Sequence, residues 1–169
     1  AMELMEIDAI TLATKMLDST AFPLTEGLAA HLIIEVDGNN MDVLMGEMEA
    51  IAEVLTQFEA GEIFFADDAQ QKTELWKLRR RVAEAVKSVG YTIEEDTVVP
   101  RADLPELLKH IKAVGKKYNF RSVCYGHAGD GNVHVRILKD ELSDEYWQNE
   151  VPKGIREIFE KVVELKGTI

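Results

Sequence analysis

The stretch Gly126-His127-Ala128-Gly129-Asp130-Gly131-Asn132-Val133-His134 places three glycines and an Asp-Gly pair close together. Such a run specifies a tight hairpin, because glycine tolerates the positive φ that tight turns demand. Closed symmetrically around Asp130-Gly131, the turn sets His127 opposite His134, Tyr125 opposite Arg136 and Cys124 opposite Ile137. Side chains alternate faces along a strand, and opposed ones stand with Cβ atoms about 4.5–5.5 Å apart. One face then carries Tyr125, His127, His134 and Arg136. The other carries Cys124, Gly126, Val133, Val135 and Ile137, an apolar core face. Nothing in the register assumes that split, so it supports strands over 121–127 and 133–138.

Two histidines so placed can each turn a ring nitrogen toward one ion at about 2.0–2.1 Å. They can equally be surface residues bracketing a structural turn. A zinc-like catalytic site takes three protein ligands and an open position, so a third ligand would have to come from elsewhere. Gly-Asp-Gly-Asn matches neither the spacing of a phosphate loop nor that of an EF-hand.

Other candidates are scattered along the chain. Arg79 shares a broad helical face with Trp76 and Arg80 and can offer a planar fork to a carboxylate. Arg79, Arg80 and Arg81 also suit a solvated, salt-bridged face. Glu94, Glu95 and Asp96 form an acidic cluster in which a general base could sit, whereas His31 and His110 have no evident partner. Cys124, on the apolar face, reads as a buried and inert thiol.

Outward from the hairpin, residues 3–20 carry Leu4, Ile7, Ile10, Leu12 and Met16 at loosely helical spacing, and 21–27 reads as a loop. Residues 30–36 (AHLIIEV) predict a buried strand closed by Asp37-Gly38. Asn39 or Asn40 caps the next helix by accepting from its free first-turn amides. There Met41, Leu44, Met45, Met48, Ile51, Ala52, Leu55 and Phe58 repeat at three and four residues. Methionines suit an adaptable binding surface, but core packing is the expectation for this stripe. Beyond Gly61 come a strand at 62–66, a helix at 68–88, a strand at 91–99 stopped by Pro100, and a helix at 102–118. A final helix covers 143–166, interrupted near Pro152-Gly154.

Strands and helices therefore alternate as βαβαβαββα after an opening helix. This favours an α+β fold: a two-layer, ferredoxin-like antiparallel or mixed sheet with helices packed on one face. No repeat or linker divides the chain, and 169 residues suit one domain spanning 1–169. A net charge of −12 repels phosphate backbones, which argues against nucleic acid as a partner. No apolar run is long enough to cross a membrane. A single cysteine excludes an internal disulfide and fits a reducing, cytoplasmic setting. Attachment to the inner face of a membrane would have to run through another part of the protein.

Tyr125 to His134 resembles the GHxGDGNxH hairpin of the FAD-linked oxidase C-terminal domain. That family includes glycolate oxidase flavoprotein subunits, D-lactate dehydrogenases and D-2-hydroxyglutarate dehydrogenases. Leu75-Trp76-Lys77-Leu78-Arg79 is similar to its L-W-x-x-R segment, and Glu95-Asp96-Thr97-Val98-Val99-Pro100 to its ED-x-x-VP junction. The three motifs stand in family order across nearly the whole chain.

The resemblance implies a substrate-side cap domain facing a separate N-terminal domain that binds FAD. In such enzymes a D-2-hydroxy acid loses its hydroxyl proton and passes hydride from its α-carbon to the flavin. By carry-over, Arg79 pairs with the substrate carboxylate. His127 and His134 hold a divalent metal such as zinc or touch the 2-hydroxyl directly, and Tyr125 and Asn132 line the pocket. Arg136 stands where relatives often carry Asn, an extra cation that disfavours a metal and favours an anionic substrate.

The family's Gly-Glu-His-Gly segment, whose Glu completes the metal site and whose His is the base, is expected just beyond Ile169. The chain is thus expected to be an excised piece, inactive alone, that lacks this segment and the FAD domain. The competing expectation is a stand-alone α+β binding or assembly module in which the histidines only brace the turn.

Overall fold

The computed structural model describes residues 1–18, 24, 26–58, 60–66 and 68–169. The chain opens with strand β1 (Met2–Glu6) and runs straight into helix α1 (Ile7–Leu17). The helical spacing read over 3–20 thus covers two elements, and residues 19 and 20 lie outside the described ones. Met, Leu and Glu favour helices, yet β1 is extended because it is paired on both sides, with β2 (Ala30–Ile34) and with the first hairpin strand. Tertiary pairing overrides local preference here. Of the loop expected at 21–27, residues 21–23 and 25 are likewise outside the described residues.

Helix α2 (Met41–Leu55) starts at Asn40, whose side chain accepts from the amides of Asp42 and Val43 at 3.0 and 3.3 Å. Its apolar stripe does not become core. No residue of α2 is buried, and Met41 is 69% exposed. The strand expected at 62–66 is also not formed, and Phe64 and Phe65 lie exposed. Two aromatic side chains supply strand preference but no pairing partner, and preference alone does not hold a strand.

The remaining elements follow the sequence pattern closely. They are α3 (Ala69–Lys87), β3 (Thr92–Val98), α4 (Leu104–Lys117), β4 (Arg121–His127), β5 (Asn132–Leu138), α5 (Asp144–Asn149) and α6 (Val151–Glu164). Pro152 falls in the first turn of α6, where its missing N–H costs nothing, so the helix break precedes it at Glu150.

The strands form one antiparallel sheet in the order β2-β1-β4-β5-β3. Segment β3-α4-β4, with β5 inserted between its strands, is the ferredoxin-like element. The α+β class and the antiparallel sheet are as expected, but helices line both faces rather than one. Below, α4, α5 and α6 bury Leu107, Ile111, Trp147, Ile158 and Val162 against Cys124, Val133, Val135 and Ile137. Above, α1 and α3 bury Ile10, Leu78 and Val82 against Met5, Val123 and Tyr125. Each aliphatic side chain so buried contributes about 1.5–3 kcal/mol.

The hairpin register differs from the symmetric closure by two residues. His127 stands opposite Asn132, Tyr125 opposite His134, Cys124 opposite Val135, and Val123 opposite Arg136. The turn takes four residues, 128–131, because the amides of Asp130 and Gly131 both donate to the His127 carbonyl, at 3.2 and 3.1 Å. A shift of two leaves every side chain on its expected face, since strand alternation has period two. Gly131 has φ +85°, and a Cβ there would strike the Val99 carbonyl oxygen. A Cβ on Gly126 would run into the backbone of Asn132. Gly131 is thus demanded by the turn and Gly126 by the close approach of the two strands, whereas a Cβ at Gly129 would meet only ordinary contacts.

Candidate active site

The upper face of the sheet gathers Glu3 from β1, Tyr125 and His127 from β4, Asn132, His134 and Arg136 from β5, and Glu94 and Asp96 from β3. Helix α3 adds Arg79 from above. Five residues expected on the hairpin and the one expected on a distant helix therefore share one region.

Arg79 is buried and does not belong to a solvated arginine face. Its Nε and Nη2 donate to Oε2 of Glu3, at 2.9 and 2.7 Å, and its guanidinium lies 5.9 Å from the centre of the Tyr125 ring. The neighbouring arginines diverge: Arg80 lies over Trp76, and Arg81 pairs with Glu84. Glu3 is only 6% exposed, and its other oxygen, Oε1, sits 2.9 Å from Nδ1 of His127. An ionised carboxylate can only accept, so Nδ1 of His127 carries a proton. In the tautomer protonated at Nδ1, Nε2 presents its lone pair to a ligand, an orientation typical of working histidines held by a carboxylate. Glu3 thus fixes both the guanidinium and the imidazole. Its role was not legible in the sequence, because the residue lies in a segment that reads as helix.

A second ion pair lies two strands away. Nη2 of Arg136 pairs with Glu94 Oε2, its Nη1 donates to Thr92 Oγ1 at 3.1 Å, and its Nε donates to the Tyr125 hydroxyl at 3.4 Å. That hydroxyl donates in turn to Glu94 Oε1 at 3.3 Å. Burial pushes the Tyr125 phenol above its ordinary range, an effect the Arg136 contact opposes, so it stays protonated at neutral pH. Nδ1 of His134 faces Glu94 at 3.6 Å and Asp96 at 3.7 Å, and Asn132 Nδ2 donates to Asp96 Oδ1 at 2.7 Å. The two imidazole centres are 6.1 Å apart and edge to face. The His127 side chain is half exposed, so this end of the face is open.

Of the acidic cluster, Glu94 and Asp96 join the site. Glu95 points to the opposite face, where burial raises its carboxyl above the ordinary value. His31 lies on the edge strand β2, two strands from the hairpin, and His110 on α4, below the sheet and across it from the upper face. Cys124 is fully buried, and burial holds its thiol well above the ordinary value, as an inert thiol requires. Among the described residues, no group of three or more His, Cys, Asp or Glu side chains is arranged to hold a metal ion. No described helix is long and apolar enough to cross a membrane.

Comparison with known proteins adds relatives to this geometry. A D-lactate dehydrogenase of Anaerostipes hadrus is 28% identical over an alignment covering 100% of this chain and 36% of that protein. Glycolate oxidase subunit GlcD of Bacillus subtilis is 33% identical over 83% of this chain and 30% of the subunit. A mitochondrial protein of Oryza sativa subsp. japonica, named as a probable D-2-hydroxyglutarate dehydrogenase, is 30% identical over 85% of this chain and 26% of its own length. The chain thus spans about a third of the length of such relatives. The family pattern described as FAD linked oxidases, C-terminal domain, matches residues 1–169, and the chain belongs to that family.

Proposed function

We propose that residues 1–169 form the substrate-side cap of a flavin-dependent D-2-hydroxy-acid dehydrogenase of glycolate or D-lactate type, facing an FAD domain of the same polypeptide. The observation that carries this reading is the convergence of Arg79, Tyr125, His127, Asn132 and His134 on one open face, with both imidazoles backed by carboxylates. Membership of the FAD linked oxidase family and the names of its relatives point the same way. The buried, solitary Cys124 suits a reducing, cytoplasmic setting.

Glu3 occupies Nε and Nη2 of Arg79. The Nη1 end of the guanidinium is left to meet the substrate carboxylate, with the planar geometry that suits such pairs. With Nδ1 turned toward a carboxylate, Nε2 of His127 or of His134 can accept the one hydrogen bond that the 2-hydroxyl donates, aligning the α-carbon. Asn132 and Tyr125 close the sides, and Arg136 contributes through its pairing with Glu94. FAD, when bound, supplies the two-electron acceptor that takes hydride from the α-carbon. The hydroxyl proton goes to a base contributed by the rest of the protein. The open end of the face around His127 and Asp96 gives a flat ring system room to approach.

A divalent metal such as zinc would find two of its three protein ligands in His127 and His134. Among the described residues no third joins them. Anaerobic titration of the complete protein with D-lactate, glycolate and D-2-hydroxyglutarate tests the proposal. Loss of the oxidised-flavin absorbance with at least one acid is expected. A flavin untouched by all three would leave the stand-alone module, with histidines that only brace the turn, as the better reading.

A further inference from the structure

The relatives do not choose between substrates with one carboxylate and substrates with two, since identities of 28–33% are shared across both kinds of name. A distinction is available in the charge pairs that flank the histidines. Across the sheet order β1-β4-β5-β3, Glu3 on β1 holds Arg79 on one side of His127, and Glu94 on β3 holds Arg136, two residues along β5 from His134, on the other. Adjacent strands are about 4.8 Å apart, so Glu3 and Glu94 stand roughly three strand spacings apart, with Tyr125 between their two arginines. A hydroxy acid held by Arg79 at its carboxylate, with its hydroxyl at the histidines, therefore points its far end at the second pair.

That second pair has no charge to give. Each nitrogen of the Arg136 guanidinium is engaged, by Glu94, Thr92 and Tyr125, and its side chain is 5% exposed. The Glu94 carboxylate, at 33% exposed, is the more accessible partner, and Asp96 stands beside it next to His134. A second carboxylate arriving here would meet two carboxylates against one guanidinium, a cluster of net negative charge whose cation is already engaged.

Building on the proposed function, we infer that Glu94 is a specificity-determining residue: by holding Arg136 and facing the site, it restricts the enzyme to monocarboxylic 2-hydroxy acids with short uncharged side chains and excludes dicarboxylic ones. The excluding element is repulsive, which is how related sites commonly separate similar ligands.

The test compares kcat/KM for D-lactate and D-2-hydroxyglutarate in the complete flavoprotein. Wild type should favour D-lactate by at least about tenfold. Glu94→Gln keeps an acceptor oxygen for Arg136 but frees its charge. It should shift the ratio toward D-2-hydroxyglutarate by about tenfold or more, mainly through KM for the dicarboxylate. Adding Arg136→Gln should return the preference to D-lactate. Should Glu94→Gln alone fail to fold, inhibition of wild type by pyruvate and 2-oxoglutarate reads the same discrimination, with pyruvate expected to bind the more tightly. A wild type that prefers the dicarboxylate, or a folded Glu94→Gln protein with an unchanged ratio, overturns the inference. Oxidation of neither acid, nor of glycolate, would instead remove the hydroxy-acid reading on which the inference rests, a separate and recognisable result.

Discussion

The two faces of the β4–β5 hairpin are built from alternate residues of the same fourteen-residue register, yet they solve opposite problems. Below, the Cys124, Val133, Val135 and Ile137 side chains are fully buried in an apolar cluster with α4 and α6, and an ion pair beside it, Glu6 with Lys112, reaches the Cys124 amide at its edge. Above, the buried atoms include two guanidiniums and a carboxylate, each charge matched by a partner: Arg79 with Glu3, and Arg136 with Glu94. Buried ion pairs of this kind add little net stability, because desolvation offsets attraction, although removing one partner is costly. The lower face therefore holds the fold together, and the upper face positions groups that can act on a ligand.

Substitutions can break this contrast. Ile137→Ala, on the lower face, should cost about 3–4 kcal/mol in urea denaturation, the expense of a cavity in a well-packed core. A loss under about 1 kcal/mol would mean the lower face is not the anchor. Glu3→Gln should cost about 3 kcal/mol, since Arg79 is left buried without a counter-charge. Arg79→Met added to it should cost less than it does alone, with a coupling of at least about 1 kcal/mol. Additive effects would mean the pair is not a unit.

Titration sharpens the comparison further. The buried Cys124 thiol is held well above its ordinary value, so the folded chain keeps a proton that the unfolded chain releases as pH rises. Stability should therefore fall above about pH 8.5, by about 1 kcal/mol over the next pH unit. The corresponding loss should be missing in Cys124→Ala, read as urea midpoints from pH 8 to 10. Glu95 gives the smallest effect. Burial raises its carboxyl, so it costs stability above its unfolded value and that cost disappears in acid. Glu95→Gln should add a small stabilisation at neutral pH and nothing near pH 3, measured by thermal unfolding.

The hairpin was legible in the sequence because its cues are local. Glycines at the turn and an alternation of polar and apolar residues assign each side chain to a face whatever the register, and the two-residue error in pairing changed no assignment. Arg79 was reached through its motif, and its burial against Glu3 was not legible. Strand β1 has the composition of a helix, and it is a strand only because two distant segments pair with it. Glu3 was hidden for that reason. Glu94 was visible as part of an acidic run, but its partner is set by the β3–β5 register, which no local pattern encodes. The stripe on α2 and the aromatic pair at 64 and 65 show the reverse case, in which local signals promise a core and a strand that tertiary partners do not complete.

The most direct test of the upper face as the chemical one is the rate of flavin reduction in the complete protein, followed by stopped flow with its preferred D-2-hydroxy acid. His134→Ala is compared with wild type, and His110→Gln, on α4 below the sheet, serves as control. The account predicts a fall of at least about 100-fold for His134→Ala and a rate within about twofold of wild type for the control. Equal reduction rates in wild type and His134→Ala, with the variant folded and carrying its flavin, would contradict it.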